Sequence, residues 1–577
     1  MSRRNGFFIL GVALVLVGIF LPTDWYNSLP KSIELPPPPV SGLSLLRVSL
    51  FIDGLLFVVL SLTKWKFAQI NPTERLSTTA VFEENDSGYT CRYTLFLAVI
   101  TTLALFLRLV YLNSDLWIDE ITTISRYGDM SALEVLATYT SSNNHLLNTL
   151  LVKLAVRIFG ENEWAVRLPA VIFGVATIPA IYWVSRLALS RRVSLYVALL
   201  LAVSYHHVFF SQNARGYTAY LFFSLVSSGL LVRGLQEDRA RVWVFYVATM
   251  LLNFASLLTS FFVFASHILV GAATLFALRR RGVSPTPLSK RLGVVFAATA
   301  FLGFQLYAMV LPQVYVVMQT VYTDPAAGYS AFSGEFIKEM VRGVTAGFGT
   351  GLILGAIPFL VIAGVGFVEV FRHQWTLALA LVAPLVLTAA WLIVNRLIVS
   401  PRFFLLALPP AVICVVQGVY SFASLIQRFL GKREVSFQAR LTAVAVLILS
   451  IISLASLKYY YTVPKQAYRA SIQYLKEERK PGDIIIVIHL AETGYRYYGR
   501  SLGLVDGKDY FFVRSMESLD SVLSSHPGKS SFLVTTFPRA LRISHPDLNE
   551  RIAKGWISVR TFPATVGDGE ISIWKNR

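Results

Sequence analysis

The stretch YLNSDLWIDEITTISRYG, residues 111–128, follows directly on an apolar run that begins at residue 93 and sets Asp119 beside Glu120. The run 93–112 is long enough to cross a hydrocarbon core, which takes about 20 predominantly apolar residues in a helix. Acids at the end of such a run must face water, a partner or a reaction, because an unpaired charge is expensive to bury. The stretch therefore points to a membrane-spanning helical chain and raises the question of what its two acids do.

The rest of the sequence agrees with a membrane chain. Of 577 residues, 55% are hydrophobic and only 15% charged, with 40 Phe, more apolar surface than a globular core can hide. Apolar segments at 6–21, 42–61, 93–112, 164–187, 193–210, 217–232, 242–258, 260–278, 292–311, 342–368, 376–394, 403–423 and 441–458 predict a polytopic α-helical membrane protein with about 13 transmembrane helices. The first run follows Arg3 and Arg4 without a small-residue cleavage signature and reads as a retained span. A net charge of +19 raises nucleic acid as a partner, but Lys and Arg cluster in short stretches between apolar runs: Lys64 and Lys66, Arg191 and Arg192, Arg279 to Arg281, Lys432 and Arg433. That placement is the retention of basic residues on the cytoplasmic side, and no nucleic-acid partner is expected. With the N-terminus cytoplasmic, the basic loops 62–92, 188–192, 233–241, 279–291, 369–375 and 424–440 all fall inside. Residues 113–163, 312–341, 395–402 and everything after 459 then fall outside the cell membrane, bacterial or archaeal. Cys91 and Cys414 are too few and too apolar in setting for a disulfide framework or a thiolate metal site.

Three regions follow: 1–92, two spans and a cytoplasmic linker; 93–461, the spanning core with its outer loops; and 462–577, an extracytoplasmic α/β domain. ELPPPPVSG, from Glu34, cannot continue a helix and predicts an outer connection. In 131–160 the apolar spacing around a polar SSNN break predicts two short surface helices. The loop 312–341 is rich in Gly, Ser and aromatics, lacks a clear period, and suits a cover or a connector. After Tyr461, PKQAYRASIQYLKEERKPGDIIIVI reads as an amphipathic helix, a Pro-Gly turn and a buried strand, with further strands at DYFFV, SFLVTTF, GWISVRTF and EISIWK.

Four outer polar clusters stand out. They are Asp119 and Glu120; Asn144 and His145; SYHHVFFSQNARGYTAY, with His206, His207, Gln212, Asn213 and Arg215; and IVNRLIVSPRFFLLALP, with Arg396 and Arg402. A carboxylate can take the proton of an attacking hydroxyl. Arginines can hold a phosphate through their planar forks. Apolar surroundings accommodate a lipid tail.

In order, LWIDE, NNHLLNTLLVKLAVRIFGENEWAVRLPAVIFG, SQNARGYTAY, SPRFFLLALP and PKQAYRASIQYL resemble the GT-C class of polyprenyl-phosphate-sugar-dependent glycosyltransferases. The likeness is to family 39-like proteins related to protein O-mannosyltransferases and aminoarabinose lipid A transferases. The resemblance spans about residues 93–481 and implies transfer of a sugar from a polyprenyl-phosphate donor to an extracytoplasmic hydroxyl on a glycan, lipid or protein. It places Asp119 on the catalytic acid of the first outer loop, with Glu120 after it. His145 falls where relatives carry a histidine followed by prolines, although HLLN stands here. Arg215 matches the arginine of an SQEAR pattern in which Asn213 replaces the glutamate, and Arg402 matches a basic residue suited to the donor phosphate. Asn144, Gln212 and Arg396 complete the expected substrate-binding set. A divalent metal is left open, as are the sugar and the acceptor. The competing readings are a glycan ligase that uses a lipid-diphosphate donor, and a lipid or sugar transporter.

Overall fold

A computed structural model of the chain describes residues 3–27, 38–62, 87–344, 356–431 and 435–576. Residues 34–37 of the proline-rich stretch, most of the basic loop 62–92, Lys432 and Arg433, and part of the predicted span 342–368 lie outside the described residues.

Among the described residues nine helices are long and apolar enough to cross a membrane, or ten when the bent pair Arg191–Ala202 and Tyr205–Ser211 counts as one span. Two shorter apolar helices, Phe8–Phe20 and Ala240–Ser256, coincide with predicted spans. The 39-residue helix Ala356–Val394, one of the nine, takes in the described end of the predicted span 342–368 and all of 376–394, and its backbone leaves helical geometry at Gln374 (φ −150°, ψ 75°), inside the predicted loop 369–375. The chain is thus a polytopic α-helical membrane protein with a small mixed α/β C-terminal region. Close packing of Ala356–Val394 on Leu408–Phe429 depends on two glycines. A Cβ on Gly366 would collide with the Cys414 carbonyl, and one on Gly418 with that of Ile362.

The bent pair matters for the site. Its halves meet at 60°. Buried Arg108 holds the break, donating to Ala104 O, Ala202 O and Ser211 Oγ. Carbonyls freed at a helix end need such donors in a low-dielectric interior. The chain leaves the break at Gln212 and runs through Arg215 into the helix Tyr217–Glu237.

In the loop after the third span, the helices Ala132–Ala137 and Leu146–Phe159 flank the predicted polar break, and a further helix, Ile118–Tyr127, carries both acids. The region 312–341 departs from its aperiodic reading. Helix Leu311–Thr320 continues beyond the preceding span, and Gly334–Val344 is an amphipathic helix whose Phe336 is buried against Leu392 and Val399. Between them, Tyr329 and Ser330 pair antiparallel with Val399 and Ile398, beside Arg402. The glycines and aromatics between short elements had masked the period.

The C-terminal region holds a five-stranded sheet ordered Tyr510–Val513, Ile484–Ile488, Ser531–Thr536, Ile571–Asn576, Trp556–Phe562. The first three strands are parallel and the last two antiparallel to their neighbours. Ile484–Ile488 is buried along its whole length, as its unbroken apolar run requires when helices cover both faces of a sheet. This region does not stand apart from the spans. Leu116, Ile121, Val152 and Val166 share one hydrophobic core with Tyr468, Ile472, Ile485 and Tyr495.

Candidate active site

Helix Ile118–Tyr127 begins with Asp119 and Glu120 in its first turn, where negative side chains complement the helix dipole. Consecutive helical residues diverge by about 100°, and the two carboxylates enter different surroundings.

Asp119 is partly open, its side chain 16% exposed. Oδ2 accepts from Arg215 Nη1, and from Arg402 Nη1 at 3.0 Å. Among the described residues Oδ1 has a single long partner, Asn143 Nδ2 at 3.4 Å. One carboxylate oxygen therefore carries both guanidiniums while the other keeps lone pairs to spare. Arg215 donates through Nε and Nη2 to His145 Nε2 at 3.1 and 3.0 Å. Burial, then the charge of Arg215, drives the His145 imidazole well below its ordinary pKa, so it stays neutral and able to accept. Gly216 allows this approach, since a Cβ there would strike the Ser256 carbonyl and crowd His145. Arg402 lies 5.8 Å from the Trp117 ring and Arg215 5.3 Å from that of Tyr217. Arg402 Nε is buried and has no partner among the described residues. Two arginines and a neutral histidine around one carboxylate leave the cluster net positive, with an unspent donor.

Glu120 is fully enclosed. It receives Arg167 through a fork at 2.9 and 2.7 Å, Lys465 Nζ at 3.3 Å, and the backbone N–H groups of Ala214 at 2.9 Å and Trp117 at 3.2 Å. Burial alone would raise its pKa, but Arg167 and Lys465 outweigh it and hold the carboxyl down to about 2. Burial and Arg167 push the Lys465 ammonium the other way, down to about 7, against the pull of Glu120.

The structure thus brings Asp119, His145, Arg215 and Arg402 together. The other expected residues lie apart. Asn144 donates to Val135 O and Thr138 O and ties the Ala132–Ala137 turn. Gln212 donates to Arg108 O and Val110 O and accepts from Tyr460, stapling three spans. Arg396 is exposed at a left-handed turn (φ 51°) and makes no bond to the cluster. Sequence reading missed Asn143, Arg167, Lys465 and Trp117. Arg167 and Lys465 do sit inside quoted motifs, and their clue was a lone cation within an otherwise apolar or outward segment. Among the described residues no group of three or more His, Cys, Asp and Glu side chains is arranged to hold a metal ion.

Residues 146–320 match the family model described as dolichyl-phosphate-mannose-protein mannosyltransferase. No curated protein matches the chain. Among solved structures, the chain is similar to apo ArnT from Cupriavidus metallidurans, at 14% identity over 85% of this chain and 99% of that one, with a TM-score of 0.46. It is also similar to the Archaeoglobus fulgidus oligosaccharyltransferase in complex with Zn and sulfate, at 13% identity over 82% of this chain and 72% of that one, with a TM-score of 0.47. The family match takes in Arg215, begins directly after His145 and stops short of Asp119 and Arg402. Over residues 146–320 the chain is similar to that family, which agrees with the resemblance read from the motifs in this segment.

Proposed function

We propose that the chain transfers a sugar from a polyprenyl-phosphate-linked donor to an acceptor hydroxyl outside the cytoplasm, with Asp119 as general base and Arg402 and Arg215 as the donor-phosphate clamp. The carrying observation is the half-open carboxylate: Asp119 Oδ1 is nearly free while Oδ2 lies between two guanidiniums. In this reading the acceptor O–H passes its proton to Oδ1 as its oxygen attacks the anomeric carbon. The carbon–oxygen bond to phosphate breaks, and its electron pair leaves with polyprenyl phosphate. Arg402, with its unspent Nε, and Arg215 meet the charge that grows on the phosphate, where preorganised donors are most effective. His145, neutral, orients Arg215, and Glu120 holds the helix rather than reacting. A divalent cation has no evident place beside Asp119, since its neighbours are cationic.

Purified protein supplied with a polyprenyl-phosphate sugar tests this reading. The expected product is an acceptor heavier by one sugar. Transfer of a whole oligosaccharide would instead indicate a ligase with a lipid-diphosphate donor, and donor movement without a covalent product would indicate a transporter.

The finer topology belongs to the same proposal: 13 spans of GT-C arrangement, the N-terminus cytoplasmic, the region 462–577 and the site extracytoplasmic. Loop charge supports it, as do the bonds that place Asp119, Arg402 and Gln466 at one end of the bundle. Cysteines introduced at Ser114, Ser400 and Ser530 should all react with a membrane-impermeant reagent in intact cells once any outer barrier is removed. Reaction at Ser400 but not at Ser530 would break the assigned topology.

A further inference from the structure

The motif PKQAYR, residues 464–469, is not used by the proposed chemistry, yet it enters the C-terminal region through several hydrogen bonds to the loop that bears Asp119. Helix Ile118–Tyr127 starts after an extended Trp117, and its first N–H groups have no partner within the helix. Ile118 N donates to Gln466 Oε1 at 2.8 Å. Leu116 N donates to the Tyr498 hydroxyl at 2.8 Å. Trp117 N, between them, goes to Glu120. Upstream, Asp115 accepts the backbone N–H of Arg469 at 2.8 Å and its guanidinium at 3.0 Å. The capping groups are themselves fixed. Gln466 is wholly buried, and its amide donates to Thr536 Oγ1 at 3.2 Å and Gly569 O at 3.3 Å while its oxygen also accepts from Tyr468. Tyr498 donates onward to Glu163 at 3.3 Å.

The start of the helix that aims Asp119 is therefore held in part by its own Glu120 and in part by side chains of a region more than 300 positions away, rooted in the end of the strand Ser531–Thr536. None of these capping groups bonds to Asp119. We infer that Gln466 and Tyr498 are positioning residues for the transfer reaction: they lock the C-terminal region onto the first turn of helix Ile118–Tyr127 and set the angle at which Asp119 meets the acceptor. The inference rests on the reading of Asp119 as the base.

A double-mutant cycle tests it on the full-length protein. Gln466→Ala should lower kcat by about ten- to a hundredfold, the scale on which small misplacements of reacting groups are felt, with the donor KM close to wild type, because Arg402 and its ladder lie on other elements. In an Asp119→Asn background the same substitution should leave the residual turnover unchanged, since a residue that acts through the carboxylate has nothing left to aim. Tyr498→Phe keeps the ring and removes one acceptor. It should show a smaller drop of the same pattern, and it decides the matter if Gln466→Ala does not fold. Equal fold-losses in both backgrounds, or no loss in either, would overturn the proposal while leaving the base assignment intact. Wild-type turnover by folded Asp119→Asn would instead overturn the base assignment itself.

Discussion

Asp119 and Glu120 are neighbours in sequence and opposites in setting. Asp119 sits in an open clamp, shared by Arg215 and Arg402, with one oxygen almost free. Glu120 sits in a sealed one, where Arg167, Lys465 and two peptide N–H groups use both oxygens. The difference shows how two consecutive residues of one helix, about 100° apart, can enter an open and a sealed setting. A buried carboxylate with every lone pair engaged stabilises its neighbourhood and has nothing to offer a substrate. A partly exposed one with a spare oxygen can move a proton. The same contrast applies to the arginines, since Arg167 spends its donors on Glu120 and on the carbonyls of Leu112, Ser114 and Asp115, while Arg402 keeps one in reserve.

The largest effect that sharpens this contrast is expected from Asp119→Asn. Turnover should fall by about 10²–10⁴-fold, the usual contribution of a positioned base, while thermal stability and donor binding stay near wild type. A parallel loss of donor binding would move Asp119 from the base role to a binding one.

Glu120→Gln should do the reverse. It leaves Arg167 and Lys465 enclosed without their counter-anion, and breaking a buried pair from one side typically costs about 3–5 kcal/mol. Thermal unfolding in detergent would read this as a clear drop in midpoint, with turnover per folded molecule falling less than in Asp119→Asn. An undiminished midpoint would break the scaffold assignment.

Arg402→Lys is next. It keeps the charge and loses the planar fork, so the donor KM should rise by about tenfold, the worth of one charge-assisted hydrogen bond. Initial rates against donor concentration would show it, and wild-type saturation would remove Arg402 from the phosphate clamp.

Acid gives a graded test of the sealed cluster. The Glu120 carboxyl lies at about 2 in the folded chain against an ordinary 4.5. Because the folded value is depressed, the associated stability is fully present above about 4.5 and is lost as pH falls towards 2. Midpoints measured across this window should decline in wild type and be flatter in Glu120→Gln. The smallest effect is expected from Arg396→Gln, whose exposed side chain touches neither cluster: donor KM, turnover and midpoint should all stay near wild type.

Much of this protein was legible in its sequence. Apolar runs of membrane length fix where helices cross, because a continuous apolar run of about 20 residues satisfies its backbone in lipid as a helix, and the runs 42–61, 164–187 and 260–278 reappear as helices with nearly the same ends. Period and turn chemistry were equally local for the C-terminal strands, and Ile484–Ile488 lies where GDIIIVI required. Asp119 and Arg402 also stood out in the sequence, as charges on an apolar boundary, and the fold brings them into contact.

What the tertiary structure alone decided is which charges meet. Asp119 joins Arg402 across 283 positions and Glu120 joins Lys465 across 345, and no local pattern carries information over such distances. Gln212 and Asn144 looked like site residues because polar side chains near spans are rare, yet they satisfy backbone carbonyls at helix breaks, a need that arises only once helices have bent and packed. Conversely, Gln466 and Tyr498 looked like ordinary residues of a soluble-type domain. Their place at the head of the helix that carries Asp119 exists only because two distant segments share one core, and the hydrogen bonds that cap that helix form when those segments dock.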